Sequence, residues 1–176
     1  IHLCPCIRMT VIAARKTPEA IIFAADTMIS DGFTKLTSSD IMHSKLFAQN
    51  DMIIGCTGDC YEGTLMELFS RNHKPMDSTR LGVIDFLVEF REWIRKKEGG
   101  YTPTNGFLIA FEHKLFHVYK GLDVYEVREF EAIGSGQDFA KAALHLGHTP
   151  CEAVEVACKL SLYCSEPITE MSVAIS

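Results

Sequence analysis

The sequence predicts an α+β domain in which sheets are sandwiched between pairs of helices. Segments with strand-like and helix-like spacing follow one another as strands, two helices, strands, two helices and a short final strand. The chain has 176 residues, of which 47% are hydrophobic and 23% charged, a composition typical of a soluble globular domain with a substantial core. Because the sequence contains no repeats or linkers, we expect residues 10–176 to form a single domain.

The first two strands are predicted to form a hairpin. The apolar residues 11–14 and 20–24 flank a polar segment that contains Pro18. If the hairpin folds about Pro18, Thr10 and Asp26 are each eight residues from its tip and lie directly opposite one another. Opposed residues have Cβ atoms about 4.5–5.5 Å apart. The register therefore predicts a hydroxyl beside a carboxylate at the open end of the hairpin.

A second hairpin and two helices are predicted next. The hairpin turns at residues 49–51, and Gly58 with Asp59 ends its second strand. Helices are predicted over residues 62–72 and 83–97, and in the second of them apolar residues recur every three or four positions.

The remaining segments predict a third hairpin, a strand, two helices and a last strand. The hairpin turns at residues 112–113, and one strand is predicted over residues 125–133. A helix over residues 138–146 is followed by a second helix that begins at residues 149–152. Those four residues combine a threonine cap, a proline at the first helical position and a glutamate at the third, which is a capping-box pattern. Residues 171–175 are predicted to form the final strand.

Charge, apolar run length and histidine spacing argue against several classes of function. The net charge of −6 argues against a surface that binds nucleic acid, and no apolar run reaches the ~20 residues of a membrane span. The sequence has no phosphate-binding glycine loop, and His113 and His117 belong to a hairpin rather than to a helix that could present a zinc pair. We therefore expect neither a cofactor nor a metal.

The cysteines and the first residues indicate the cellular compartment in which the protein is expected to function. The seven cysteines are irregularly spaced and include no Cys-x-x-Cys pair, which predicts mostly buried, reduced thiols in the cytoplasm. The first eight residues lack the long apolar stretch of a secretory signal. We interpret residues 1–9 as an N-terminal extension, either a propeptide, a fragment end or a misplaced start.

Five short segments, taken in order, point to one family. They read TVIA at residues 10–13, AAD at 24–26, SKL at 44–46, GCTGD at 55–59 and AIGSG at 132–136. Together they resemble the proteasome β-subunit and HslV peptidase family of N-terminal nucleophile hydrolases, from Thr10 to about Leu162. The resemblance implies the four-layer αββα sandwich of that family.

The resemblance also implies roles for the catalytic residues. Thr10 would be the N-terminal nucleophile, with its α-amine as the general base. Asp26 and Lys45 would be the active-site aspartate and lysine. The backbone N–H of Gly58 would form the oxyanion hole, and Ser135 would support the terminal amine.

Two further residues would contact the substrate. By analogy with the family, Ser30 would contribute backbone contacts to an extended chain, and Cys56 would form the floor of the pocket for the side chain before the cut. One expected residue is missing, because residues 162–166 offer no aspartate where the family usually places one near the Gly-Ser-Gly serine.

These residue types suit acyl transfer. An α-amine has a pKa of about 7.7–8.0, so it can accept a proton near neutral pH. The Lys45 ammonium would lower that pKa further, and Asp26 would hold Lys45 in its charged form. The amine is a base only if nothing precedes Thr10, since an amide nitrogen cannot accept the proton.

Each residue taken singly also has an ordinary structural explanation. Thr10 could be a strand threonine, Asp26 a turn residue and Lys45 a solvated surface lysine. Gly58 could be a turn glycine. Their common order along the chain and the predicted pairing of Thr10 with Asp26 favour the site.

The leading hypothesis is a threonine-type endopeptidase that cleaves polypeptides inside a self-compartmentalising homo-oligomeric ring, with an ATP-driven unfoldase as partner. The alternative is a catalytically inactive ring or scaffold subunit whose Thr10 is blocked by the N-terminal extension. A third hypothesis is an N-terminal nucleophile hydrolase that acts on small amides rather than peptides.

Overall fold

The computed structural model describes residues 7–8, 10–31, 33–38 and 40–175 and contains strands and helices in the predicted order. The strands are β1 (Ile7–Arg8), β2 (Val11–Lys16), β3 (Ala20–Asp26), β4 (Ile29–Asp31), β5 (Thr34–Leu36), β6 (Leu46–Gln49), β7 (Met52–Asp59), β8 (Gly106–Phe111), β9 (Lys114–Val118), β10 (Val124–Val127), β11 (Phe130–Gly134) and β12 (Ile168–Ala174). The helices are α1 (Cys60–Ser70), α2 (Arg80–Glu98), α3 (Gln137–His145) and α4 (Pro150–Leu160).

The strands form two antiparallel sheets. The larger sheet has the order β10-β9-β8-β7-β1-β4-β5, with β6 also paired to β7, and the smaller sheet has the order β11-β2-β3-β12. Three separate apolar clusters fill the spaces between the layers. One lies between α1, α2 and the larger sheet, one between the two sheets, and one between the smaller sheet and α3 with α4. The domain is therefore a four-layer αββα sandwich, as predicted.

Strand β2 shows why its sequence is an unbroken apolar run. Val11 and Ala13 belong to the cluster under α3 and α4, whereas Ile12 and Ala14 belong to the cluster between the sheets. Successive side chains of a strand point to opposite faces, so a strand covered on both sides needs apolar residues at every position.

The register predicted for the first hairpin is wrong by one residue. Ile12 pairs with Ala25 and Ala13 with Ala24, which places Asp26 opposite Val11 rather than opposite Thr10. The turn contains four residues, closed by a hydrogen bond from Thr17 N to Ala20 O at 2.8 Å. The axis of the hairpin therefore falls between residues 18 and 19, not at Pro18.

Most other predicted elements are confirmed, with several differences. Helix α2 and strand β12 each begin three residues before the predicted start, and β4 and β5 form where no strand was predicted. The strand predicted over residues 125–133 divides at residues 128–129 into β10 in the larger sheet and β11 in the smaller. Helix α1 begins at Cys60, two residues before the predicted start, because the Asp59 side chain accepts a hydrogen bond from Glu62 N at 2.8 Å and caps the helix. The capping box at Thr149 and Glu152 is present as predicted.

The sequence did not predict a strand before Thr10. Ile7–Arg8 form β1, which lies between β4 and β7, with Ile7 opposite Ser30 and Arg8 opposite Gly58. Residues 1–6 and Met9 of the predicted extension lie outside the described residues. Within the described part of the chain, no helix is long and apolar enough to cross a membrane, and no cluster of three or more side chains is suited to hold a metal ion.

Glu131 contacts residues of both sheets and of α3. Lys141 Nζ lies 2.8 Å from Glu131 Oε1, His117 Nδ1 lies 3.4 Å from Glu131 Oε2, and Ala132 N donates to Oε1 at 2.9 Å. Burial alone would raise the pKa of this carboxyl, but the contacts from His117, Lys141 and Ala132 outweigh burial and lower the pKa to about 2.

We expect Glu131→Gln to remove part of the acid sensitivity of the fold. A carboxyl whose pKa is lower in the folded than in the unfolded chain stabilises the fold at neutral pH, and this contribution is lost as the pH falls from about 4.5 towards about 2. The difference in unfolding free energy between wild type and variant should therefore shrink by up to about 3 kcal/mol over that range, as measured by denaturant titration at several pH values.

Glu126→Gln is the matched control, because Glu126 pairs with Lys114 at the surface, where ion pairs contribute little. A difference between wild type and Glu131→Gln that stays constant from pH 6 to pH 2 would contradict the assignment.

Candidate active site

Thr10 lies at the start of β2, next to the loop that follows β11. Thr10 N donates to Ser135 Oγ at 3.0 Å, and Ser135 Oγ donates to the Thr10 carbonyl at 3.2 Å. Gly136 N donates to the same carbonyl at 3.2 Å. Gly134 has φ +99°, and a Cβ at that position would collide with the Thr10 carbonyl, so the close approach requires glycine.

The Thr10 hydroxyl is buried, and Oγ has no hydrogen-bond partner among the described residues. A buried hydroxyl usually finds a partner, because leaving it unpaired costs about 1–3 kcal/mol. An unpaired hydroxyl beside a fixed backbone nitrogen is suited to react with a carbonyl group brought to it.

Asp26 and Lys45 form an ion pair next to Val11, the residue after Thr10. Lys45 Nζ lies 2.7 Å from Asp26 Oδ1, and both side chains are fully buried. Asp26 also accepts hydrogen bonds from Val11 N at 2.9 Å, Met28 N at 3.2 Å and Ser165 N at 3.1 Å. Burial raises the pKa of the Asp26 carboxyl, while Lys45 and these backbone N–H groups oppose the increase.

The predicted residues are therefore connected, although not as the hairpin register implied. Asp26 Oδ1 accepts hydrogen bonds from the N–H of Val11, the residue after Thr10, and from Lys45 Nζ, whereas Oδ2 accepts from Ser165 N. Thr10 is held instead by Ser135. With the one-residue shift in register, Ser135 holds Thr10 and Asp26 holds Lys45.

Gly58 lies at the end of β7, immediately before the cap of α1. Its φ is +113°, and a Cβ there would collide with Asn105 Oδ1, so both the backbone conformation and the space require glycine. The turn leads directly into the N-terminus of α1, where the helix dipole favours negative charge. This is a suitable place for a backbone donor to an oxyanion, which remains a prediction.

Ser30 and Cys56 lie on the two strands that flank β1. Ser30 is in β4 and pairs with Ile7, and it is nearly buried. Cys56 is in β7 and is fully buried; its sulfur accepts a hydrogen bond from Asn105 Nδ2 at 3.2 Å, and its N–H donates to the Lys45 carbonyl at 3.0 Å. Their predicted contacts with substrate remain predictions.

The segment that lacks the expected aspartate nevertheless reaches the site. The buried thiol of Cys164 lies within hydrogen-bonding reach of the hydroxyls of Ser135 and Ser161, and burial raises the pKa of this thiol. Ser165 donates its backbone N–H to Asp26. A thiol and a backbone N–H thus occupy the surroundings of Ser135 and Asp26. Sequence reasoning missed both residues, because neither has a motif that marks it.

A polar cleft of about 620 Å³ opens beside these groups. Its lining includes Gly58 and Ser135, so it reaches both the predicted oxyanion donor and the serine that holds Thr10. Its other walls carry charged and polar side chains, among them His117, Glu131 and Lys141.

We expect the ion pair of Asp26 and Lys45 to be essential for stability. Lys45→Met leaves the Asp26 carboxylate buried without its charged partner, which should cost about 3–5 kcal/mol of unfolding free energy. In the double variant Lys45→Met with Asp26→Asn, the loss should be smaller than the sum of the two single losses, because no unpaired charge remains. Chemical denaturation of the four proteins measures both effects.

Lys74→Met is the control, because Lys74 pairs with Asp51 on the surface and its loss should change stability by less than about 1 kcal/mol. Additive losses in the double variant would show that the two buried groups do not depend on one another.

The sequence matches no protein-family model and no curated protein. Among solved structures, the chain is similar to BPH from Thiobacillus denitrificans in complex with epoxomicin, with a TM-score of 0.85 and 18% identity over 94% of this chain and 99% of that chain. It is also similar to eukaryotic HslV from Trypanosoma brucei, with a TM-score of 0.72 and 18% identity over 93% of this chain and 99% of that chain.

A third similar structure is Anbu, an ancestral β-subunit from Yersinia bercovieri, with a TM-score of 0.71 and 14% identity over 92% of this chain and 80% of that chain. At these identities the likeness shows the fold. The chain therefore has the αββα fold of HslV and Anbu, as its resemblance to the proteasome β-subunit and HslV family implied.

Proposed function

We propose that the chain is a threonine-type endopeptidase with Thr10 as its nucleophile. The observation that carries the proposal is the buried, unpaired Thr10 hydroxyl beside a backbone nitrogen that is fixed by Ser135. The Lys45 ammonium, bound to an Asp26 that also holds Val11, supplies the positive charge that the chemistry needs close to that nitrogen.

In the proposed reaction, Thr10 must first be the N-terminal residue, since only a free α-amine can accept a proton. The amine takes the proton of the Thr10 hydroxyl while Oγ bonds to the scissile carbonyl carbon. The oxyanion that forms is stabilised by the Gly58 N–H. The C–N bond then breaks, the amine returns the proton to the leaving nitrogen, and water hydrolyses the ester by the same route.

The position of β1 supports a peptide as the substrate. Ile7 pairs with β4 on one side and with β7 on the other, and Arg8 lies opposite Gly58 of β7. Backbone pairing of this kind binds a strand with little regard to its sequence. A polypeptide in the same groove would bring a carbonyl group to Gly58 and Thr10.

The same strand favours a second candidate function. If the residues before Thr10 are retained, β1 fills the groove and Thr10 N stays an amide, so the chain would be an inactive ring or scaffold subunit. Under either function, we propose that copies of the chain assemble into a homo-oligomeric ring in the cytoplasm, and an active ring would receive unfolded polypeptide from an ATP-driven unfoldase. The resemblance to the proteasome β-subunit and HslV peptidase family supports this assembly.

The test compares three proteins: one that begins at Thr10, one that retains Met9, and one with Thr10→Ala. Intact mass and N-terminal sequencing establish each start, and a panel of fluorogenic peptides and small amides measures hydrolysis. Only the protein with a free Thr10 should cleave peptides, and Thr10→Ala should lower kcat at least about a thousandfold.

Thr102→Ala, at an exposed threonine, is the control and should keep full activity. Equal peptide turnover with Met9 retained would rule out the α-amine as base. If the protein that begins at Thr10 is correctly processed but inert, the scaffold function is favoured. If only the small amides are cleaved, the chain is an amide hydrolase rather than a peptidase.

A further inference from the structure

Asn105 lies just before β8, and its side chain folds back onto the end of β7, immediately before α1. Asp59 N donates to Asn105 Oδ1 at 2.7 Å, and Asn105 Nδ2 donates to the Asp59 carbonyl at 2.8 Å. The side-chain amide thus pairs with one residue of backbone in both directions, as a neighbouring strand would. Because Asn105 is 1% exposed, water does not compete for these bonds.

Asn105 also contacts β7 on the other side of Gly58, at Cys56. Its Nδ2 donates to Cys56 Sγ at 3.2 Å, and its Oδ1 lies so near to Gly58 that a Cβ at that residue would collide with it. The side chain is therefore bonded to the residue after Gly58, bonded to a residue before it, and packed against Gly58 itself. This one side chain thus contacts the backbone or side chain on both sides of Gly58.

Glu62 holds Asn105 in place. Its carboxylate is fully buried in α1 and accepts hydrogen bonds from Asn105 N at 2.9 Å, Thr104 N at 2.9 Å and Tyr101 Oη at 2.8 Å. A buried carboxylate is costly unless several donors satisfy it. Here the donors come from the segment that carries Asn105, so that segment is fixed relative to α1.

These hydrogen bonds form a closed ring that connects Asp59, Glu62 and Asn105. Asp59 caps α1 by accepting from Glu62 N, Glu62 binds the backbone of Asn105, and Asn105 returns to the backbone of Asp59. A closed ring of satisfied, buried hydrogen bonds fixes the position of every group in it. None of these three residues is part of the predicted catalytic set.

We propose that Asn105, fixed by Glu62, is a positioning residue that orients the Gly58 N–H towards the oxyanion. The inference rests on the proposed function, in which Gly58 supplies that donor. A backbone donor stabilises an oxyanion only if it is already aimed at the place where the charge develops. A displacement of about 1 Å can lower the rate about a hundredfold.

The test uses the protein that begins at Thr10 and compares wild type with Asn105→Ala. A peptide substrate gives kcat and KM separately. A peptide aldehyde and the corresponding peptide alcohol give two binding constants. Thr10 Oγ attacks the aldehyde and forms a hemiacetal. The hydroxyl proton passes by way of the amine to the former carbonyl oxygen. Because that oxygen lies at the oxyanion donor, the affinity for the aldehyde depends on the donor. The alcohol binds without that bond.

For Asn105→Ala we expect kcat to fall about 10- to 100-fold, with KM unchanged within about twofold. The affinity for the aldehyde should fall by a similar factor, and the affinity for the alcohol should not change. Tyr101→Phe removes one hydrogen bond from Glu62 and should lower kcat and the affinity for the aldehyde about threefold. KM and the affinity for the alcohol should not change. Tyr61→Phe is its control, because it removes a phenol bond to Glu98 on the exposed side of α1.

An unchanged kcat in a folded Asn105→Ala protein would overturn the inference and leave the proposed function standing. Equal losses for the aldehyde and the alcohol would also overturn it, because they would show a damaged binding groove rather than a misplaced donor. If Asn105→Ala does not fold, the comparison of Tyr101→Phe with Tyr61→Phe tests the inference instead. Equal kcat and KM values in these two variants would overturn it. A wild type with no Thr10-dependent turnover and no aldehyde adduct would overturn both proposals.

Discussion

The arrangement of the candidate site depends on one buried ion pair, Lys45 with Asp26. Removing two charges from water costs several kcal/mol for each ion, and the attraction between them offsets that cost only when the remaining bonding capacity is satisfied. Asp26 meets this condition with three backbone N–H groups. They come from β2, the other strand of its hairpin, from the loop that follows Asp26, and from the segment after α4. These segments must all be in place before the pair is stable, so the site and the fold form together.

The two sheets divide the candidate chemistry between them. The smaller sheet supplies Thr10, Asp26 and the loop of Ser135, whereas the larger sheet and its β6 edge supply Gly58 and Lys45. The apolar cluster between the sheets fixes their separation, because closely packed cores do not deform continuously. Small changes in that packing would therefore change the distance between Thr10 and Gly58.

Polar groups near the site are held by neighbours that are distant in sequence. Ser135 contacts Thr10 across 125 positions, Ser165 contacts Asp26 across 139, and Asn105 contacts Asp59 across 46. At the segment where an aspartate was expected, the Cys164 thiol lies near Ser135 and the Ser165 N–H binds Asp26.

The sequence by itself determined the order of the elements, the covered strands and the segments that carry Thr10, Asp26, Lys45, Gly58 and Ser135, because apolar spacing, turn residues and short motifs are local properties. It did not determine the hairpin register, the division of residues 125–133 between two sheets, or the contacts of Asn105, Glu62 and Cys164. The register changed because a four-residue turn replaced a tip at Pro18, and such a choice depends on how both strands pack against the other layers. Buried polar contacts across long separations have no local pattern, so only the tertiary structure decides which donor meets which acceptor.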